Sequence, residues 1–97
     1  MSVILINPFE VPEGKEEEAI KGWDDAAAYL RKQPGFISTK LHKTITPNSK
    51  FHLVNVAEWE TPEAFMNAVN TDEFKKLTQK MVDDFPHYPA LYDVIRK

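Results

Sequence analysis

Two asparagines stand in runs that otherwise read as buried strand: Asn7 in Val3-Ile-Leu-Ile-Asn-Pro-Phe-Glu-Val11, and Asn55 in Phe51-His-Leu-Val-Asn-Val-Ala-Glu-Trp59. A buried amide without partners costs on the order of 1–3 kcal/mol, so each must be satisfied by backbone or aimed at a ligand. Asn7 precedes Pro8, whose missing N–H disturbs a strand ladder. Two roles are open to it: orienting a ligand oxygen, or satisfying the disturbed backbone. For Asn55 a structural hydrogen bond is the expectation.

The other chemistry-bearing residues are few. If Thr46 to Lys50 form a hairpin turn, His42 and His52 lie diagonally on one face, about 7–8 Å apart at the backbone. Without an acidic neighbour they fall short of the three or four ligands of a metal site, so no metal is expected there. His87, beside Tyr88, could line a pocket mouth but is expected as an ordinary loop residue. There is no cysteine, which excludes disulfides and thiol chemistry, and no glycine-rich phosphate loop or Ser/His/Asp arrangement. Asp24-Asp25 and Asp83-Asp84 read as solvated helix surface. Trp23, Phe36, Trp59, Phe65, Phe74, Tyr88 and Tyr92 fit core or core-edge positions, and an aromatic pocket would be built from the same stock.

These residues need elements to hold them. In the Phe51 run, Leu53, Asn55, Ala57 and Trp59 point one way and His52, Val54, Val56 and Glu58 the other. The Val3 run is also apolar on both parities, with Val3, Leu5, Phe9 and Val11 on one side and Ile4 and Ile6 on the other. Both therefore predict central strands covered on two faces. Glu16 to Gln33 carries Ala19, Ile20, Trp23, Ala27 and Leu30 at spacings of three and four, a helix of about five turns stopped by Pro34-Gly35. Phe36 to Ile45 alternates with Ile37, Thr39, Leu41 and Ile45 on one face, and its more polar second face suggests a strand near the sheet edge. Thr61 suits a cap, Pro62 a first helical position and Thr71 a second cap, with a break at Asn70. Ala90 to Ile95 predicts a last short strand.

The order strand, helix, strand, strand, helix, strand predicts an α+β, ferredoxin-like βαββαβ fold with an antiparallel sheet and helices on one face. Residues 1–97 make one domain on this reading. Ile4, Ile6, Val54 and Val56 would then form an apolar patch on the open face, which predicts a homodimer joined sheet to sheet. The net charge of -3 with interspersed signs provides no basic stripe, so nucleic acid is not an expected partner. No run has transmembrane length and the start lacks a signal-peptide pattern, so no membrane partner is expected and the default compartment is the cytoplasm.

Several motifs carry a family likeness along nearly the whole chain: the strand end Phe9-Glu-Val-Pro-Glu-Gly14-Lys, the helix stop Pro34-Gly35-Phe36 with Leu41 downstream, Glu58-Trp59-Glu60 with Glu63-Ala64-Phe65, and Phe74-Lys75. With them the chain resembles the antibiotic biosynthesis monooxygenase family of dimeric α/β-barrel proteins. The resemblance implies a ligand pocket between sheet and helices, and a monooxygenase that needs no cofactor because an electron-rich aromatic or quinol substrate itself reduces dioxygen. Asn7 would act on the substrate oxygen, and Trp23, Asn55, Trp59, Phe65 and Ala68 would contribute to the substrate pocket. A haem-degrading branch uses an asparagine on the first strand with a tryptophan and a histidine on the second helix. Asn7 matches the first, but Ala68 and Thr78 occupy the other two positions, so haem degradation is not implied. Quinol-type members also carry a histidine where Ala68 stands. That departure leaves an alternative, a non-catalytic dimeric protein that binds a small hydrophobic compound.

Overall fold

The two runs with apolar residues on both parities become neighbours at the middle of the sheet. In the computed structural model, which describes residues 2–97, β1 (Val3–Phe9) and β3 (Leu53–Trp59) pair antiparallel, with Leu5 opposite Ala57, Asn7 opposite Asn55 and Phe9 opposite Leu53. β2 (Phe36–Lys43) lies on the far side of β3 and β4 (Ala90–Tyr92) on the far side of β1, giving the order β2-β3-β1-β4 with every pairing antiparallel. The helices α1 (Glu16–Leu30), α2 (Pro62–Val69) and α3 (Asp72–Asp84) cover one face. Period two decides which residues meet them: Val3, Leu5, Phe9, Leu53, Ala57 and Trp59 are buried, while Ile4, Ile6, Val54 and Val56 on the helix-free face are half-buried. This is the α+β, ferredoxin-like arrangement, with its second helix divided in two.

The division follows from two threonine caps. Thr61 Oγ1 accepts from the Ala64 N–H at 3.0 Å with Pro62 at the first helical position, and Thr71 Oγ1 accepts from the Phe74 N–H at 3.1 Å. Asn70 between them ends α2, so the break is a fresh start and not a kink. Thr71 Oγ1 also meets Tyr29 Oη at 2.8 Å, which pins the start of α3 to α1. α1 ends at Leu30, short of Gln33, and the turn that follows closes at Gly35. Gly35 has φ +86°, and a Cβ there would lie 2.4 Å from the Ala64 Cβ, so the chain needs glycine for conformation and for space.

The observed strands depart from the expected ones in four places. A register shift places Phe36 opposite Trp59 and Ser38 opposite Glu58, so Ile37 is the extra residue of a bulge. Ile37 is therefore exposed, and Phe36 takes the helix side, where its ring meets Trp59 edge-on at 5.3 Å. β2 stops at Lys43 and β3 starts at Leu53, which leaves Ile45 98% exposed in a wider loop than the expected hairpin and Phe51 outside the strand. β1 ends at Phe9, before Val11. β4 covers only Ala90–Tyr92, and Val94 and Ile95 lie beyond the sheet, exposed. Among the described residues no helix is long and apolar enough to cross a membrane.

Candidate functional site

Small residues at the centre of the helix-covered face create the site. Ala57 on β3 and Ala26 and Ala27 on α1 face one another across the layer where leucines would fill a core, and a cavity of about 260 Å³ results.

The cavity is apolar except for a stripe across its floor. Thr39, Asn55 and Asn7 stand on adjacent strands β2, β3 and β1 and all line it. Thr39 Oγ1 donates to Asn55 Oδ1 at 2.6 Å, which commits the carbonyl end of Asn55 and leaves its amide hydrogens to donate elsewhere. Asn55 thus makes the structural hydrogen bond its position requires. Asn7 does not: its Oδ1 is buried and has no partner. It therefore accepts nothing from the backbone disturbed by Pro8. A second orphan belongs to Trp59, another lining residue with 0% exposure, whose Nε1–H also lacks an acceptor. Both residues line the cavity, and each unpaired group costs about 1–3 kcal/mol until it finds a partner.

Aromatic rings wall the Trp59 end: Phe36 and Phe65 both approach the indole edge-on, at 5.3 and 5.7 Å between centroids. Trp23 of α1 closes the space from above, with the Arg31 guanidinium 5.9 Å from its ring centre. At the opposite end stand Phe9, Met81 and His87. Of the residues picked out by sequence, Asn7, Trp23, Asn55, Trp59 and Phe65 line the cavity. Ala68 does not; it faces the sheet and packs against Val3, Leu5, Ala57 and Trp59 in the core, and Val69 beside it supplies the lining. It supports the wall instead of forming it.

His87 corrects the expectation of an ordinary loop residue, since it lines the cavity and stacks on Phe9 at 5.8 Å. His52 also departs from expectation. Its Nε2 lies 2.8 Å from Glu16 Oε2, and Lys43 Nζ lies 3.1 Å from Glu16 Oε1, because the first turn of α1 is folded back beside the start of β3. His42 is apart from this group, its Nδ1 donating to the Val54 carbonyl at 3.2 Å. Hydrogen bonds first from His52 and then from Lys43 hold the Glu16 carboxyl below its usual value. Among the described residues no group of three or more His, Cys, Asp or Glu side chains is placed to hold a metal ion.

The sequence profile of antibiotic biosynthesis monooxygenases matches residues 2–80. The chain belongs to the antibiotic biosynthesis monooxygenase family. A candidate monooxygenase from Shewanella loihica PV-4 is similar over 99% of this chain and 96% of its own, with 38% identity and a TM-score of 0.83. SnoaB, a cofactor-independent oxygenase from Streptomyces nogalater, superposes over 99% of this chain and 95% of its own at a TM-score of 0.85, with 23% identity. A dimeric protein of unknown function and ferredoxin-like fold from Bacteroides fragilis NCTC 9343 shares the fold over 96% of both chains, with a TM-score of 0.75 and 12% identity. The last two likenesses are of fold alone. No curated protein sequence matches the chain. Family membership and cavity agree in kind, since monooxygenation needs a place where a small organic molecule and dioxygen meet apart from water.

Proposed function

We propose that this family member is a cofactor-independent monooxygenase acting on a small aromatic or quinol compound held in the cavity, with Asn7 on the substrate oxygen. The observation that supports this reading is that Asn7, whose buried Oδ1 has no partner, lines a cavity with mostly apolar walls. An amide offers both an acceptor and two donors. Oδ1 receives the hydrogen of a neutral substrate hydroxyl, and Nδ2 donates to the negative charge that develops when the proton leaves. The free amide hydrogens of Asn55 and the unpaired Trp59 N–H add two further donors, while Trp23, Phe65 and Phe36 flank an aromatic ring. Such donors act strongly because apolar walls exclude water.

The electrons balance without an external reductant. A substrate of hydroquinone or anthrone type gives up its proton, the resulting anion passes one electron to dioxygen, and the radical pair joins to form a carbon–oxygen bond. Loss of water from the peroxide leaves a carbonyl or quinone. One oxygen atom enters the product, the other departs as water, and the substrate supplies all four electrons. SnoaB, similar in fold, is an oxygenase of this cofactor-independent kind.

Oxygen uptake with a panel of hydroquinones and anthrones, for the wild type and Asn7→Ala, tests the reading. We expect uptake that falls about 10²-fold in the variant, the loss typical of removing one oxyanion donor. Uptake unchanged by the substitution would remove Asn7 from the mechanism. Ligand-induced thermal stabilisation with no uptake at all would replace the oxygenase with a binding protein.

The same reading includes a second copy of the chain over the helix-free face. Ile4, Ile6, Val54 and Val56 lie there on the two central strands, and among the described residues no helix or strand covers them. The Bacteroides fragilis protein of the same fold is described as dimeric. Sedimentation at micromolar concentration should give twice the chain mass, and a stable single-chain species would contradict this.

A further inference from the structure

His87 reaches the cavity through a strand that its own prolines conceal. β4 pairs with β1 by setting Leu91 opposite Leu5 and Ala90 opposite Ile6, and a bridge further along sets His87 opposite Phe9 in the same register. The Glu10 N–H donates to the Pro86 carbonyl at 2.9 Å and the Tyr88 N–H to the Pro8 carbonyl at 3.1 Å, so the segment before β4 runs as an edge strand beside β1. Pro86, Pro8 and Pro89 each lack the N–H that a regular ladder would use. Directly paired residues in an antiparallel ladder share a face, so His87 lies with Phe9 on the helix-covered side, a diagonal neighbour of Asn7 about 7–8 Å away at the backbone.

The ring has one committed nitrogen. His87 Nδ1 lies 3.2 Å from the Phe85 carbonyl, and a carbonyl only accepts, so the neutral imidazole carries its hydrogen on Nδ1 and its lone pair on Nε2. Nε2 makes no hydrogen bond among the described residues. Stacking on Phe9, with 24° between the planes, fixes the orientation of the ring. The titratable side chains on the adjoining segments are engaged elsewhere: Tyr88 donates to Glu10, Asp83 accepts from Gln79 and Asp84 from Lys80. A fixed, half-buried imidazole with a free lone pair therefore stands within one substrate ring of Asn7.

We infer that His87 is the base that takes the substrate's proton, and that the substrate is accordingly a hydroxyaromatic compound or its keto tautomer. This rests on the oxygenase reading above and deepens it. The O–H or activated C–H bond breaks, its electron pair stays on the substrate, and the proton goes to Nε2. Asn7 Nδ2 donates to the resulting oxyanion. After dioxygen has added, the imidazolium returns that proton to the peroxide. In the keto form a second proton then passes from the same carbon through Nε2 to the departing hydroxide, which leaves as water, so His87 ends unchanged.

The decisive probe is 4-nitrophenol, whose ionised form absorbs apart from the neutral one, added at a pH one unit below its own ionisation. With wild type the bound phenol should absorb as the anion, and with His87→Gln it should bind as the neutral form. Equal ionised fractions, or no binding to wild type, would overturn the assignment. NMR of the wild-type imidazole needs no variant: the ring should become protonated when the phenol binds, and a ring that stays neutral would also overturn it. In turnover His87→Gln should lower kcat by about 10²–10⁴-fold, leave KM nearly unchanged and abolish the acid limb of the pH profile. An ionised bound phenol without oxygen uptake from any hydroquinone or anthrone would sink the oxygenase reading and leave His87 as a base.

Discussion

Ala57→Leu should fill part of the cavity and stabilise the fold. The side chain at position 57 is buried on the helix side of β3 and lines the cavity between Asn55 and Trp59. Leucine adds three carbons. At about 0.8 kcal/mol per buried CH₂, less about 0.5–1 kcal/mol of side-chain entropy, the gain is roughly 1.5–2 kcal/mol. For a domain of this size that raises Tm by about 10 °C, at roughly 4–8 °C per kcal/mol. If the layer were already filled, the same substitution would cost about 1–3 kcal/mol through strain. The two outcomes differ in sign, which a thermal melt followed by circular dichroism reads directly. Oxygen uptake should be lost in the stabilised variant, because the leucine occupies the space beside Asn55 and Asn7. A Tm that falls by several degrees would mean that this layer has no room for the added carbons.

Further outcomes follow from single contacts. Thr61→Ala should cost about 1 kcal/mol in a urea titration as a lost helix cap, and Thr71→Ala more than that, because its hydroxyl also holds Tyr29 of α1. Gly35→Ala should destabilise by at least about 1–3 kcal/mol, since it combines a left-handed backbone with a Cβ 2.4 Å from that of Ala64. The Glu16 carboxyl has a folded pKa below its ordinary value of 4.5, so its contribution to stability is full above that value and is lost as pH falls through the lower folded one. Melts from neutral to acid pH should show that loss, and Glu16→Gln should flatten it.

The parity of the central strands was legible because burial on a strand alternates strictly, and Asn7 and Asn55 are each surrounded by apolar residues of the same parity. The threonine caps were legible for a similar reason, being local chemistry within three residues. The bulge at Ile37 was not, because alternation places Ile37 inward and only the fit of Phe36 against Trp59 makes the inserted residue preferable. Nor was the place of His87 in the cavity wall, since prolines at 86 and 89 read as a rigid connection while the register with β1 continues through them. The pairing of His52 with Glu16 joins residues 36 positions apart, beyond any local pattern. The cavity was the least legible feature. Its cause is small side chains meeting from different elements, and an alanine in sequence does not say what faces it.

On the proposed reading the cavity unites one oxygen atom from dioxygen with a substrate that supplies every electron. Mass spectrometry of the product formed under ¹⁸O₂, with protein stripped of metals and flavin by chelation and denaturing refolding, tests it most directly. One labelled oxygen per product molecule, lost in Asn7→Ala, is the predicted result. Product without label, or label that appears only when a metal or flavin is restored, would contradict it.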